Sequence, residues 1–206
     1  MTIYFTDISS ISGDRFIELL ATMPPAAQRK IEQYTVPRKR YQRTAGSILL
    51  AHVLQLHART AVDIDYSPVG KPGIPGGPAF SLAYSGDIII CVCGSGAAIG
   101  IDIEELKDVE KGMAEDYFTR NEQAIINASA DMRSAFYTMW VRKEALLKAV
   151  GTGVVADLSA IDVAGDAIIY AGQVYYLRNI PLRDGYAACV ASDKHITGMQ
   201  LTQVYL

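Results

Sequence analysis

Long apolar runs are absent from this chain. Its most apolar region, IIICVCGSGAAIGI (88–101), is interrupted by three glycines, so no segment reaches the roughly 20 apolar residues of a membrane helix. Cysteine is scarce. There are three, and Cys91-Val92-Cys93 lacks the spacing of a zinc knuckle. The opening MTIYFTDISS has no basic segment leading into an apolar one, so a signal peptide is not expected and the cytoplasm is the expected compartment. An excess of positive charge is also missing. With 19 Lys and Arg against 22 Asp and Glu the net charge is −3, which argues against nucleic acid as the main partner. What remains is an ordinary globular composition: 206 residues, 50% hydrophobic and 20% charged, with a mean hydropathy of +0.15. That length suits one large domain or two small ones.

The charge is unevenly spread. Residues 29–43, RKIEQYTVPRKRYQR, hold Arg29, Lys30, Arg38, Lys39, Arg40 and Arg43 against Glu32 alone. Such a stretch is either a solvated basic face or a site for phosphates or an acidic partner. From Pro24 to Ala61 the pattern is helical, with Ile48, Leu49, His52, Val53 and Leu56 at helix spacing behind Thr44 and Ser47 as caps or first-turn residues. His52 and His57, five apart, do not share a helix face, so no metal pair is expected there. SPVGKPGIPGGP (67–78) is a loop. Phe80 to Tyr84, Ile88 to Cys93 and Ala97 to Glu104 then predict three short strands in an antiparallel meander. Residues 113–129 and 131–150 read as helices, and apolar runs between turn signals after Ala160 predict a second sheet. SGDIIICVCGS (85–95) and RDGYAACVASD (183–193) echo each other faintly, consistent with two similar α/β halves, 1–98 and 99–206.

Within the third predicted strand, Ile99, Ile101 and Ile103 share one face while Gly100, Asp102 and Glu104 share the other. The two carboxylates then lie roughly 7 Å apart and repel each other unless a cation intervenes. In WVRKEALLKAVGTG (140–153), Phe136, Met139, Trp140, Leu146, Leu147 and Val150 form an apolar helix face. Glu144 stands at its edge with Lys148 one turn on, which taken alone is an ordinary helical ion pair. Lys143 falls inside the stripe, where a charge needs a partner or must snorkel. Brought together, Asp102, Glu104 and Glu144 are three hard oxygen donors of the kind Mg²⁺ shares with phosphate oxygens, and Lys148 could balance the remaining phosphate charge.

GKPGIP (70–75), FSLAYS (80–85), IGIDIEE (99–105), YFTRNE (117–122) and WVRKEALLK (140–148) stand in the order found in 4′-phosphopantetheinyl transferases. The chain resembles the type that activates surfactin synthetase, over almost its full length. The resemblance implies an α+β fold of that family: a pseudo-two-fold pair of similar α/β halves in a monomer, with the active site in the cleft between them. It implies a Mg²⁺-dependent enzyme that moves the 4′-phosphopantetheine arm of coenzyme A to a serine of an apo acyl- or peptidyl-carrier protein and releases 3′,5′-ADP. Carried over residue by residue, Asp102, Glu104 and Glu144 would bind the metal. Lys148 would neutralise the leaving phosphate, while Lys71, Arg43 and Lys30 would hold phosphates of the coenzyme.

The serine proton needs an acceptor, for which Glu144, Glu122 and a water held by the metal are the candidates. One departure stands out. Where the family has Ser-His, this chain has Ala83-Tyr84; a tyrosine hydroxyl can donate to a phosphate but carries no positive charge near neutral pH. That change motivates the alternative of a non-catalytic binder of coenzyme A or of a carrier protein.

Overall fold

A computed structural model describes residues 1–61, 64–67, 70–94, 98–110, 112–151 and 157–206. The elements in chain order are β1 (Thr2–Asp7), α1 (Gly13–Ala21), α2 (Pro25–Glu32), α3 (Pro37–Leu56), β2 (Asp65–Tyr66), β3 (Pro72–Gly73), β4 (Ala79–Ser85), β5 (Ile88–Gly94), β6 (Ile99–Glu105), α4 (Met113–Tyr117), α5 (Arg120–Ala128), α6 (Met132–Val150), β7 (Ala167–Tyr170), β8 (Gln173–Asn179), β9 (Tyr186–Ser192) and β10 (Gln200–Gln203). They form two four-stranded sheets, ordered β10-β1-β5-β4 and β6-β9-β8-β7, beside the small β2-β3 ribbon. The architecture is α+β, as expected.

The two sheets face each other across Ile3, Ile88, Ile90, Val92, Ile99, Ile101, Ile103 and Val190. On its outer side the first sheet buries Ile89, Cys91 and Cys93 against Leu49, Val53 and Leu54 of α3. Because β5 is covered on both faces, it reads as an unbroken apolar run rather than an alternating one. On its outer side the second sheet packs Ala187, Cys189 and Ala191 against α6. The two echoing segments contain β5 and β9, each an inner strand of its own sheet.

The expected meander is corrected. β4 and β5 form an antiparallel hairpin, but β6 pairs with β9 in the other sheet. Periodicity shows which face of a strand is buried and not which strand lies beside it. β4 and β6 still run close together, joined by hydroxyls: Ser81 Oγ accepts from Ile101 N at 3.1 Å and Ser85 Oγ from Glu105 N at 3.0 Å. The crossover between the sheets falls between Gly94 and Ile99, and Ala97, where the third strand was expected to begin, lies outside the described residues. The chain's last strand, β10, returns to pair in parallel with β1.

Helix boundaries differ as well. α3 starts at Pro37, whose fixed φ suits a first turn, so Thr44 and Ser47 are interior residues rather than caps. Ser47 Oγ bonds back to Arg43 O at 2.9 Å. The helix expected over 113–129 is two, parted at Phe118-Thr119, where Thr119 caps α5. α1 was not expected; Ser12 caps it. α6 begins behind the cap Asp131 and ends at Gly151, whose φ of +81° closes the helix.

Gly100 decides how closely α6 approaches β6. A Cβ there would run into Ala145 O and Ala149 N, and would meet Lys148 C at 2.9 Å. All three are backbone atoms that cannot rotate away. Gly100→Ala should therefore lower stability by roughly 1–3 kcal/mol by forcing the helix off the strand. A thermal melt matching that of the unchanged protein would rule out the close approach.

Candidate active site

On the partner strand the residues opposite Gly100, Asp102 and Glu104 are Ala191, Cys189 and Ala187. These small side chains leave room for α6 to settle over that face, and Asp102 is sealed beneath the helix at 6% exposure. Its Oδ1 accepts from Lys148 Nζ at 2.6 Å. The Oδ2 is buried without a hydrogen-bond partner, although a buried carboxylate oxygen normally has one. Burial pushes the Asp102 carboxyl up to about 7; Lys148 pulls it down, and Glu104 and Glu144 push it further up. Burial also raises Glu144, with Lys148 opposing and Glu104 adding. Glu104 is tethered through its Oε2, which accepts from Ser85 Oγ at 2.6 Å.

These acids line a cleft of about 570 Å³ together with Lys148, Leu147, Lys71, Arg43, Tyr84 and backbone of β4. That size is within the ordinary range for small-molecule sites. Seven of the nine residues singled out in the sequence meet in it: Arg43, Lys71, Tyr84, Asp102, Glu104, Glu144 and Lys148. Lys148, expected to pair with Glu144 along the helix, reaches across to Asp102 instead. Lys71 Nζ donates to Ala149 O at 2.7 Å, which places a cation on the C-terminal carbonyls of α6. Burial lowers its pKa. The Arg43 guanidinium lies over the Tyr84 ring, 4.5 Å from its centroid.

Two expected site residues lie elsewhere. Lys30 is exposed and stands 6.0 Å over the Tyr66 ring, beside a second groove that shares Lys71, Pro72 and Phe80 with the cleft. Most of the basic segment is likewise outside. Arg38 pairs with Asp87 at 2.9 Å and Arg40 Nε donates to Tyr34 O at 2.6 Å.

Glu122 requires a correction as a candidate base. It is fully buried and paired with Lys143 at 2.7 Å. Its Oε2 also accepts from Thr119 N at 2.8 Å and its Oε1 from Val163 N at 2.8 Å. Both oxygens are occupied and neither reaches the cleft. The Thr119-x-x-Glu122 capping box was legible as a structural signal. The same pair explains Lys143, which does not snorkel. Trp140 packs edge-on against Tyr117 at 5.3 Å. Sequence reasoning missed Ser81 and Ser85, whose hydroxyls hold β6 in place; their alternation along FSLAYS was the available signal.

Among the described residues no three His, Cys, Asp or Glu side chains close up into a ready metal cage. The donor set nevertheless fits a hard divalent cation: three acids face one ammonium, and Asp102 Oδ2 is an oxygen lacking a donor.

A family model described as the 4′-phosphopantetheinyl transferase superfamily matches residues 98–191, the segment that supplies Asp102, Glu104, Glu144 and Lys148. That segment is similar to the 4′-phosphopantetheinyl transferase superfamily. It is 32% identical over 122 residues to 4′-phosphopantetheinyl transferase psf-1 of Bacillus pumilus, covering 56% of this chain and 52% of that one. It is 27% identical over 189 residues to 4′-phosphopantetheinyl transferase Sfp of Bacillus subtilis, covering 88% and 80%. The match thus spans about half the length of the first relative and four-fifths of the second. Among solved structures, holo-[acyl-carrier-protein] synthase of Thermotoga maritima matches 47% of this chain and 62% of its own at 18% identity, with a TM-score of 0.37. No helix among the described residues is long and apolar enough to cross a membrane.

Proposed function

We propose that this transferase moves the 4′-phosphopantetheine arm of coenzyme A onto a serine hydroxyl of an apo acyl- or peptidyl-carrier protein. The serine oxygen bonds to the phosphorus that carries the pantetheine arm. The bond from that phosphorus to the bridging oxygen breaks, and 3′,5′-ADP leaves with the electron pair. The observation that carries this reading is one cleft lined by the acids Asp102, Glu104 and Glu144 together with the cations Arg43, Lys71 and Lys148. Such a cleft suits a polyphosphate ester.

A divalent cation, Mg²⁺ by the hardness of its donors, would be held by Asp102, Glu104 and Glu144 and would supply Lewis acidity at the diphosphate. Lys148, already paired with Asp102, neutralises charge on the leaving group. Glu144 accepts the serine proton: it lines the cleft, and its raised carboxyl pKa suits a base. The first half, 1–98, supplies Arg43, Lys71 and Tyr84, and the second, 99–206, supplies the acids and Lys148. One chain therefore furnishes the whole lining of the cleft, which supports a monomeric enzyme.

The test is direct. Purified protein, coenzyme A, Mg²⁺ and a panel of apo carriers should yield a carrier heavier by one phosphopantetheine. Coenzyme A bound with no carrier modified would establish the non-catalytic alternative instead.

A further inference from the structure

The acids of the cleft have Lys148 as their counter-ion, but the cleft is also lined by Arg43, a cation without one among the described residues. The Arg43 guanidinium lies over two aromatic rings, 4.5 Å from the Tyr84 centroid and 5.3 Å from that of Tyr34. Among the described residues no acid pairs with its side chain and no oxygen accepts from it. Its neighbours differ: Arg38 is tied to Asp87 and Arg40 to Tyr34 O. Aromatic rings attract a guanidinium through its faces. They leave the in-plane N–H fork free, and the fork is what takes a phosphate through two parallel hydrogen bonds.

We infer that Tyr84 and Tyr34 are positioning residues, which stack on Arg43 and aim its free donors at a phosphate of coenzyme A. This rests on the transferase reading. It also accounts for the departure at Ala83-Tyr84. A histidine at position 84 would bring its own charge, whereas the tyrosine steers a charge carried by α3. Tyr84 is half-buried, and burial raises the pKa of its phenol, so the ring stays neutral beneath the guanidinium.

Calorimetric titration of coenzyme A into the full chain tests the clamp, using Tyr84→Ala, Tyr84→Phe, Arg43→Met and the double variant Arg43→Met/Tyr84→Ala. Tyr84→Ala should weaken binding roughly three- to tenfold, while Tyr84→Phe, which keeps the ring face, should stay within about twofold of the parent. In the Arg43→Met background Tyr84→Ala should have no further effect. With a carrier present, KM for coenzyme A should rise in Tyr84→Ala at unchanged kcat. If Tyr84→Ala does not fold, Tyr84→Leu makes the same comparison by keeping bulk without a π-face. A Phe variant as weak as the Ala variant would mean that the hydroxyl touches the ligand directly. Additive losses in the double variant would mean that Tyr84 does not act through Arg43. Either result overturns the clamp while leaving the transferase reading intact. Absence of coenzyme binding by the unaltered chain would overturn both.

Discussion

Asp102→Asn should abolish transfer and, in metal-free buffer, make the protein more stable at pH 8. The second half of that expectation follows from burial. Asp102 lies under α6 with one oxygen on Lys148 and the other unpartnered. Its carboxyl is held at about 7, well above its ordinary 3.8, because burial penalises the anion more than Lys148 favours it. The folded chain therefore keeps a proton that the unfolded chain gives up. The stability this confers is full below about pH 4 and is lost as pH rises through 7. A rise from 3.8 to about 7 corresponds to on the order of 4 kcal/mol, and raised Glu144 adds in the same direction. Asparagine has no anion to bury and still accepts from Lys148. Denaturant titrations in chelator should show the variant changing less between pH 5 and pH 8 and lying above the parent at pH 8. Adding Mg²⁺ with coenzyme A should reverse the order, since ligands that bind only the folded parent stabilise it alone. A variant less stable than its parent at pH 8 in chelator would make Asp102 a structural anchor.

How much of this was legible depends on what kind of fact the sequence encodes. Of the seven residues that meet in the cleft, Asp102, Glu104, Glu144 and Lys148 were readable from local pattern, as alternating acids on a strand and an acid and a lysine one helical turn apart, whereas Arg43, Lys71 and Tyr84 came only from the family resemblance. Their partners were less readable. Glu144 and Lys148 are a sound helical pair by spacing, yet Lys148 turns to Asp102, 46 residues away, because a buried carboxylate gains more from an ammonium than a half-buried one does. The strand β6 was recognised but misplaced, since alternation specifies faces and leaves the neighbouring strand open. Lys143 was correctly seen as a charge in an apolar stripe needing a partner. That partner, Glu122, stood among the candidate bases because a family motif marks identity and not burial.

The Glu122–Lys143 pair should be the costliest polar contact to break. Both side chains are fully buried and 2.7 Å apart. Lys143 Nζ also donates to Leu158 O at 2.8 Å and to Ile161 O, so the pair joins the start of α5, the middle of α6 and the segment at 158–163. Burial lowers the lysine pKa and Glu122 opposes it. Removing either partner strands a charge in the core, so Glu122→Ala and Lys143→Ala should each lose about 3–5 kcal/mol. Replacing both together with apolar residues, Glu122→Leu with Lys143→Met, should lose markedly less than the sum, because no charge is left behind. Glu122→Gln separates structure from catalysis. It should lower the unfolding midpoint while transfer per folded molecule stays near that of the parent. A glutamine variant that melts like the parent but transfers nothing would restore Glu122 as the base, and the buried pair would then have to open during turnover.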